Sequence, residues 1–352
     1  MTLSEAWSES FGEWLTGRGP QSDIVMSARV RLARNVATFP FLTRITESRK
    51  SELAKLLRGR LERAELGETV AFHDIEEMAV LDRQCLVERH LISRDLETAE
   101  GDRGVMLSGD ETLSIMVNEE DHLRMQALRS GFQLREAWDR IRAIDDTLES
   151  SLDFAFSPRF GYLTACPTNV GTGLRVSVML HLPALVLTKS INKIFKAMTK
   201  IHLAVRGFYG EGTQATGDFF QISNQVSLGR TEEEIVKLVE DHVPQIITTE
   251  RSKREQLVET NRTGIEDRVW RALGMLERAR TLSLDEAMSG LSAVRLGINL
   301  GLVDAVPLKL INELFIVAQP AHLQKAIGEE LPESEHDRRR AELVRTRLAA
   351  GT

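Results

Sequence analysis

The stretch CPTNVGTGLR, at residues 166–175, says more about the fold than any other part of this sequence. A cysteine and a proline open it, and two glycines precede its closing Leu174 and Arg175. It runs directly into residues 174–182, whose β-branched and apolar residues predict a strand. A lone cysteine such as Cys166 is ordinarily a small buried hydrophobe. Its interpretation therefore depends on the residues that follow it.

Strand-like and helical patterns alternate on both sides of this stretch. The strand candidates are residues 104–117, which predict a hairpin, 153–163, 174–182 and 219–228. Residues 133–150 and 189–205 have the apolar spacing of helices. Connections this short favour an antiparallel sheet with helices packed on one face.

After Gly229 the pattern becomes helical nearly to the end. Thr231 and Glu234 predict a capping box that opens a long helix. We therefore predict an α+β domain over residues 1–248, in which helices flank an antiparallel sheet, and an all-helical domain over residues 249–352.

The composition is that of a folded protein with no general affinity for nucleic acids. The chain has 352 residues, 42% of them hydrophobic, and a net charge of −7. No apolar run approaches the ~20 residues of a membrane helix, and the acidic N-terminus lacks the basic start of a signal peptide. Two well-separated cysteines, Cys85 and Cys166, are typical of a reducing compartment. These features predict a cytoplasmic protein.

Arginine is unusually common, with 35 arginines against 10 lysines. Codon bias in a GC-rich genome is one explanation. The other is that many positions face phosphate groups, which favour the rigid, permanently charged guanidinium fork. Composition alone does not separate the two explanations.

The usual nucleotide motifs are absent from the sequence, including G-x-x-x-x-G-K-[ST], G-x-G-x-x-G, and the H-R-D and D-F-G motifs of ordinary protein kinases. Arginines in strand-like segments are present instead, at positions 29, 31, 124, 175 and 206. In a strand Arg29 and Arg31 point the same way, and two adjacent guanidinium groups can clamp phosphate oxygens. A pair of solvated strand arginines is the alternative.

Acidic residues also stand in unusual places. Residues 118–122 (NEEDH) follow an apolar strand, where a metal site or a solvated strand end would each explain them. Glu211 ends residues 206–211 (RGFYGE), whose paired glycines suggest a tight loop or close approach of the backbone to a ligand.

At residues 166–175 the sequence resembles the phosphagen (guanidino) kinases, whose signature is C-P-T-N-[LV]-G-T-[GS]-[LM]-R. Three further family motifs appear: S-x-R-x-R at residues 27–31, N-E-E-D-H-L-R at 118–124 and R-G-x-x-G-E at 206–211. The resemblance covers roughly residues 24–249. It implies a phosphagen-kinase-like catalytic domain that transfers a phosphoryl group from ATP, with Mg²⁺, to a guanidino group.

The resemblance assigns ATP binding to the arginines and their neighbours, with His90 near the nucleotide. Mg²⁺ would be held mostly by phosphates and water, without a dedicated protein metal site. The implied ATP-binding residues are Ser27, Ala28, Arg29, Val30, Arg31, His90, Arg124, Arg175, Val176, Ser177, Val178, Met179, Arg206, Gly207, Phe208, Tyr209 and Gly210.

The acceptor must be oriented and deprotonated by the enzyme, because a guanidinium is protonated and therefore a poor nucleophile. By resemblance Glu120 and Glu211 grip its edges, orient one nitrogen and accept its proton. Cys166 would lie as a thiolate beside the cationic substrate. In an extended segment Glu119 and Asp121 would face away from Glu120.

The order of the catalytic and helical domains along the chain resembles that of the bacterial protein arginine kinases. Small-molecule phosphagen kinases have a helical domain ahead of S-x-R-x-R, whereas here a helical domain follows the catalytic motifs. Membership in that group implies a homodimer, a zinc-binding activator protein, and tagging of damaged proteins for an AAA+ protease in the stress response.

The tail resembles the phosphoarginine-binding R-D-x-x-R-A motif of the same group. The matching residues are His336, Asp337, Arg340 and Ala341, and they imply an allosteric site. A solvated basic helix end is the alternative interpretation.

Two other functions stay open. A small-molecule guanidino kinase that lost its front domain would phosphorylate free arginine or a related guanidine. An inactive adaptor would bind ATP or phosphoarginine only, but Glu120, Cys166 and Glu211 argue against it, because binding alone does not need acceptor chemistry.

Overall fold

The computed structural model describes residues 11–67, 69–207 and 216–351. An antiparallel sheet with its helices is followed by a helical C-terminal region, so the predicted fold class is confirmed.

The described residues contain ten strands, and eight of them form one sheet. The strands in chain order are β1 (Val25–Arg34), β2 (Val70–Asp74), β3 (Gly104–Ser108), β4 (Leu113–Val117), β5 (Leu123–Ser130), β6 (Phe156–Ser157), β7 (Gly161–Tyr162), β8 (Leu174–His181), β9 (Leu203–Gly207) and β10 (Phe219–Asn224). The sheet order is β2-β3-β4-β5-β1-β8-β10-β9, and every pairing is antiparallel. β6 and β7 pair separately as a hairpin. β1 therefore lies inside the sheet, between β5 and β8.

The helices pack on both faces of the sheet and build the C-terminal region. In the described residues they are α1 (Glu47–Arg63), α2 (Val80–Glu88), α3 (Arg94–Thr98), α4 (Leu134–Glu149), α5 (Pro183–Leu187), α6 (Ile191–Lys200), α7 (Glu232–Arg278), α8 (Leu284–Asn299), α9 (Leu308–Val317), α10 (Pro320–Ile327) and α11 (Glu333–Gly351). The predicted capping box of Thr231 and Glu234 opens α7. None of these helices combines the length and the apolar character needed to cross a membrane.

The two faces of the sheet differ in chemistry. Ala28, Val30 and Leu32 of β1 are buried in a core that α1, α4 and the first half of α7 complete. Arg29 and Arg31 alternate with them and therefore lie on the opposite face. Burying an aliphatic side chain contributes about 1.5–3 kcal/mol, so the apolar positions fix which face the arginines occupy.

The C-terminal helices pack on the face that bears the arginines. Leu128 on β5, Met179 on β8 and Phe219 on β10 belong to a second core, shared with α7, α8, α9 and α11. In the sheet register Leu128 lies opposite Arg29. The helical region is thus anchored directly beside the arginines.

The predicted boundary between residues 248 and 249 lies inside a helix, α7, and not in a loop. Its buried residues join the first core as far as Ile247 and the second core from Ile265. The non-helical backbone of Asn261 (φ −152°) interrupts α7 between these two points. A change of core, rather than a loop, separates the two parts of the chain.

Two predicted elements differ in the structure. The strand expected over residues 153–163 is reduced to the short hairpin strands β6 and β7, since Gly161 has a left-handed backbone (φ 76°). The helix expected over residues 189–205 ends at Lys200 as α6. His202, at φ 63°, stops the helix, and β9 begins at Leu203.

Candidate active site

A cavity of about 670 Å³ lies over the arginine-bearing face of the sheet. Arg29 and Arg31 reach it from β1, and Arg124, Arg175 and Arg206 reach it from β5, β8 and β9. In the register of β1 and β8, Arg31 and Arg175 are directly opposite each other. Five arginines from four strands that are distant in sequence are therefore brought together.

These guanidinium groups repel one another, which indicates a site built for an anion. Burial, with the charges of Arg124 and Arg175, lowers the pKa of Arg29 to about 10. Burial and the charge of Arg29 hold the pKa of Arg31 well below its usual value. Arg31 Nε is buried and finds no hydrogen-bond partner among the described residues. A triphosphate would relieve both the repulsion and the unpaired donor, so these residues fit ATP.

His90 lies at the same cavity in a constrained conformation. Its backbone is left-handed (φ 60°), and its carbonyl accepts a hydrogen bond from Gln126 Nε2 at 2.8 Å. Its ring meets the Trp14 ring edge-on, with centroids 5.7 Å apart. Burial, with the charges of Arg29 and Arg31, lowers the pKa of His90 to about 3, so the imidazole is neutral at ordinary pH.

The remaining residues predicted to bind ATP divide by strand alternation. Gly207 lines the cavity, and Ser27, Ser177 and Met179 line a small cavity beside His90. The side chains of Ala28, Val30, Val176 and Val178 are fully buried in the core on the other face. Phe208, Tyr209 and Gly210, together with the predicted catalytic Glu211, lie outside the described residues.

A second cavity, of about 90 Å³, adjoins the first and shares Arg31, Arg124 and Arg175 with it. Glu120 and Cys166 line this second cavity, so two of the three predicted catalytic residues meet there. We call it the acceptor pocket.

The acidic residues around Glu120 have different partners. Glu119 is buried and pairs with Arg124 at 2.5 Å. Asp121 is also buried, and its Oδ1 accepts hydrogen bonds from Asn35 Nδ2 and from the Ala165 amide, both at 2.6 Å. Glu120 alone is exposed, which is the alternation expected from the sequence. Partial burial, followed by the charges of Asp121 and Glu119, raises the pKa of Glu120 above its usual value.

Hydrogen bonds and close backbone contacts fix the loop that carries Cys166. The Cys166 carbonyl accepts from Thr164 Oγ1 at 2.8 Å, and its Sγ lies 3.1 Å from Thr168 Oγ1. Gly173 has φ 67°, and a Cβ there would approach Ala33 O to 2.5 Å. Glycine at this position therefore lets the loop of this chain lie directly against the end of β1.

Three polar residues with a clear role were missed from the sequence. Asp121 and Asn35 tie the start of the Cys166 loop to the end of β1. Gln221 on β10 accepts from Arg29 Nη2 at 2.7 Å and lines the larger cavity. Polar positions on the arginine-bearing face could have identified Gln221, but the Asp121 contacts span too much sequence to be anticipated.

The tail residues lie far along the chain on α11. Arg340 is buried, and its guanidinium donates to Ala318 O and Leu282 O at 2.8 Å and to Asp337 Oδ1 at 2.6 Å. Ala341 is buried as well, whereas His336 is half-buried, with Nε2 3.2 Å from Leu331 O. Arg340 therefore has a structural role in holding α11 to its neighbours, and phosphoarginine binding stays a prediction.

Comparisons with known proteins match both parts of the chain. Residues 52–253 match the family described as ATP:guanido phosphotransferase, C-terminal catalytic domain. Residues 262–352 match the protein-arginine kinase McsB C-terminal domain. The protein-arginine kinase of Desulforamulus reducens is 46% identical over 351 residues, which cover 99% of this chain and 98% of that one. The protein-arginine kinase of Symbiobacterium thermophilum is 48% identical over 353 residues and is covered completely (100%).

Solved structures of guanidino kinases match about 70% of the chain. A duplicated taurocyamine kinase from Schistosoma mansoni, with bound transition state analog components, has a TM-score of 0.61 and 29% identity; the match covers 69% of this chain and 34% of that one. Lombricine kinase has a TM-score of 0.59 and 25% identity, with 70% of each chain covered.

The sheet with its arginine cluster is thus that of an ATP:guanido phosphotransferase, a kinase whose acceptor is a guanidino group. Relatives that match nearly the whole length narrow this class. The chain belongs to the protein-arginine kinase family. The predicted family and the predicted enzyme class are confirmed.

Proposed function

We propose that this protein transfers the γ-phosphoryl group of ATP to arginine side chains of other proteins. The observation that carries the proposal is that the two cavities share lining residues. The larger one collects five arginines, and the acceptor pocket with Glu120 and Cys166 shares three of them. A phosphoryl group held by the shared arginines would therefore face a guanidinium in the acceptor pocket.

The residues suit the chemistry of phosphoryl transfer. The transition state is loose and carries its charge on the equatorial oxygens, so catalysis consists mainly of positioning and electrostatic stabilisation. Arg31, Arg124 and Arg175 supply that stabilisation at the junction of the cavities. Glu120, whose pKa is raised, is a stronger base than an ordinary glutamate and accepts the proton that the attacking nitrogen loses.

Mg²⁺ belongs to this proposal as the partner of ATP. When bound, it would neutralise part of the negative charge of the triphosphate. Within the described residues, no group of three or more His, Cys, Asp or Glu side chains is placed to hold a metal ion. The phosphates and water would therefore supply most of its ligands.

The surface around the acceptor pocket suits a polypeptide acceptor. Of the six large hydrophobic side chains exposed in the described residues, four lie near the Cys166 loop: Phe156, Phe160, Val226 and Leu228. Gly171 of that loop contacts Gly161 of the β6–β7 hairpin on one side and Leu228 on the other. Apolar side chains that flank an arginine in an unfolded protein could pack there.

A competition assay tests the proposal against phosphorylation of a free guanidine. The enzyme is incubated with Mg-ATP and an unfolded arginine-containing protein, and free arginine is added at increasing concentration. We expect the protein to be phosphorylated and free arginine to be a poor acceptor and a poor competitor. Rapid turnover of free arginine with little protein phosphorylation would instead favour the small-molecule alternative, for which the taurocyamine and lombricine kinases are the structural precedent.

Four further expectations stay proposals that rest on the resemblance: a homodimer, an activator protein, an AAA+ protease, and a phosphoarginine site formed by His336, Asp337, Arg340 and Ala341.

A further inference from the structure

We propose that the C-terminal helical region forms part of the nucleotide site, with Leu284 and Pro320 contacting the nucleoside half of ATP. This inference rests on the proposed function in one respect, because it takes ATP as the nucleotide. It concerns the part of the larger cavity that the arginines do not occupy.

The charges of the cavity are divided between its two sides. Among the residues that the structure describes, the sheet contributes five arginines to the lining, Arg29, Arg31, Arg124, Arg175 and Arg206, and no carboxylate. The opposite side is built from α2, α3 and the starts of α8 and α10. Its charged residues are Glu88, Glu97 and Arg94, which carry one net negative charge. A triphosphate is attracted to the sheet side and repelled from the helical side.

The helical side also has the apolar surface that a nucleoside requires. Val87 and Ile92 face the cavity from the catalytic part of the chain, and Leu284 and Pro320 face it from the C-terminal region. Leu284 and Pro320 are only half-buried in this structure, so they keep apolar surface available to a ligand. A flat purine is weakly polar on its faces, and apolar side chains are its usual neighbours in nucleotide pockets.

One group of contacts joins these two parts of the helical side. The Glu88 carboxylate accepts hydrogen bonds from the backbone amides of Ala321 and His322, at 2.8 and 2.9 Å, and lies 2.6 Å from His322 Nδ1. Arg89 Nε donates to His322 Nε2 at 2.9 Å. Since Glu88 itself lines the cavity, these bonds set the start of α10 at a fixed distance from the end of α2.

Arg340 holds together the two C-terminal segments that reach the cavity, one at Leu284 and one at Pro320. Its guanidinium donates to Leu282 O, two residues before Leu284, and to Ala318 O, two residues before Pro320. Both carbonyls belong to loops between helices, and these bonds fix the two loops relative to each other. Arg340 is therefore a positioning residue: it fixes Leu284 and Pro320 at the cavity and does not itself contact the nucleotide.

A pair of probes separates the two sides of the cavity. Mg-ATP uses both sides, whereas Mg-tripolyphosphate has no nucleoside and uses only the arginines. Isothermal titration calorimetry gives the Kd of each probe for wild type, Leu284→Ala, Leu284→Asp and Pro320→Ala. We expect each Leu284 variant to raise the Kd of Mg-ATP about five-fold or more, since contacts of one side chain in an apolar pocket are commonly of that size. The Kd of Mg-tripolyphosphate should change less than two-fold.

Two controls complete the experiment. Leu302, like Leu284, is half-buried and packs on the second core, but it does not line the cavity. Leu302→Ala and Leu302→Asp should therefore leave both Kd values unchanged. Arg31→Ala should weaken both probes. Thermal unfolding of each variant shows whether it is folded, and Pro320→Ala replaces Leu284 in the comparison if the Leu284 variants do not fold.

The inference is overturned if Leu284 and Pro320 variants bind Mg-ATP as wild type does. It is also overturned if they weaken Mg-tripolyphosphate as much as Mg-ATP, or if the Leu302 variants have the same effect. The binding measurement needs no acceptor. A wild type that binds Mg-ATP but phosphorylates no arginine would thus contradict the proposed function and leave this inference in place.

Discussion

At the scale of single residues, Glu120 is the most informative side chain of the acceptor pocket. It is exposed into the pocket between the buried Glu119 and Asp121, and its pKa is raised. We expect Glu120→Gln to lower kcat by about 10², because a positioned acid or base contributes about that much, while the Kd of Mg-ATP changes little. Steady-state kinetics and calorimetry measure the two quantities.

Glu255→Gln is the matched control, since Glu255 is an exposed carboxylate on α7 that lines neither cavity. Activity of wild type should fall as the pH is lowered through the raised pKa of Glu120, because the base becomes protonated. Near-normal kcat in Glu120→Gln would exclude this residue from the mechanism.

His122, two positions further along, should make the protein sensitive to acid. Its Nδ1 accepts from the Val36 amide, and its Nε2–H donates to Pro40 O, each at 3.0 Å. Burial lowers its pKa to about 4. Below about pH 6.5 the unfolded chain therefore binds a proton here that the folded chain does not bind until about pH 4, and stability is lost in that window.

We expect His122→Gln to be less stable than wild type at pH 7.5, because two buried hydrogen bonds are disturbed. The difference should shrink by about 1.4 kcal/mol per pH unit between pH 6.5 and 4, since only wild type must keep this imidazole neutral. Urea unfolding at several pH values measures it. The contributions of other titrating groups cancel in this difference. A stability difference between the two proteins that does not vary with pH would therefore contradict a neutral, buried His122.

Part of the site could be predicted from the sequence, and part could not. Alternation along β1 correctly placed Arg29 and Arg31 on one face, because the pattern of apolar partners is local. The contacts of Asp121 with Asn35 and Ala165 bridge segments that are distant in sequence, and no local pattern encodes them. Asp121 was therefore recognised only as part of an acidic run.

At the scale of elements, the β6–β7 hairpin is expected to select polypeptide acceptors. Phe156 and Phe160 are exposed on it, and Gly161 packs against the Cys166 loop. Phe156→Ser and Phe160→Ser should each raise KM for an unfolded protein about five-fold, the effect of losing roughly 1 kcal/mol of contact. Turnover of free arginine should be the same in these variants as in wild type.

Val80→Ser is the control, because Val80 is an equally exposed apolar residue at the start of α2. Equal losses for protein and free arginine would mean that the hairpin supports the fold of the pocket rather than the binding of a polypeptide.

Element boundaries were the weaker part of the sequence-based prediction. Residues 189–205 have continuous helical spacing, yet the left-handed backbone of His202 divides them into α6 and β9. That division brings Arg206 onto the sheet beside Gln221, where it reaches the cavity. Periodicity does not register such a turn, because it depends on backbone conformation at one residue.

At the scale of the whole molecule, buried polar contacts join the C-terminal region to the sheet. Arg295 on α8 is fully buried and donates to Ser22 O, Asp23 O and Asn312 Oδ1, at 2.7, 3.0 and 3.1 Å. It also lies 2.9 Å from His181 Nδ1 at the end of β8. Burial lowers the pKa of Arg295 to about 9.

We expect wild type to unfold in one transition and Arg295→Met to lose about 3 kcal/mol or more, because several buried acceptors lose their donor. Without the hydrogen bonds of Arg295, the C-terminal region and the sheet should unfold in two separate transitions. Differential scanning calorimetry detects the separation. Arg271→Met, which removes an exposed arginine paired with Asp267, should change stability by less than about 1 kcal/mol. Identical scans for Arg295→Met and wild type would refute this view of the assembly.

If the arginine cavity and the acceptor pocket together phosphorylate arginine side chains, the product must carry its phosphoryl group on a guanidino nitrogen. The enzyme is incubated with labelled Mg-ATP and an unfolded arginine-rich protein, and the label is followed through alkali and hot acid. A P–N bond to a guanidino nitrogen survives alkali and is cleaved in acid, so we predict alkali-stable, acid-labile label that maps to arginines. Acid-stable label on serine, threonine or tyrosine would contradict the account.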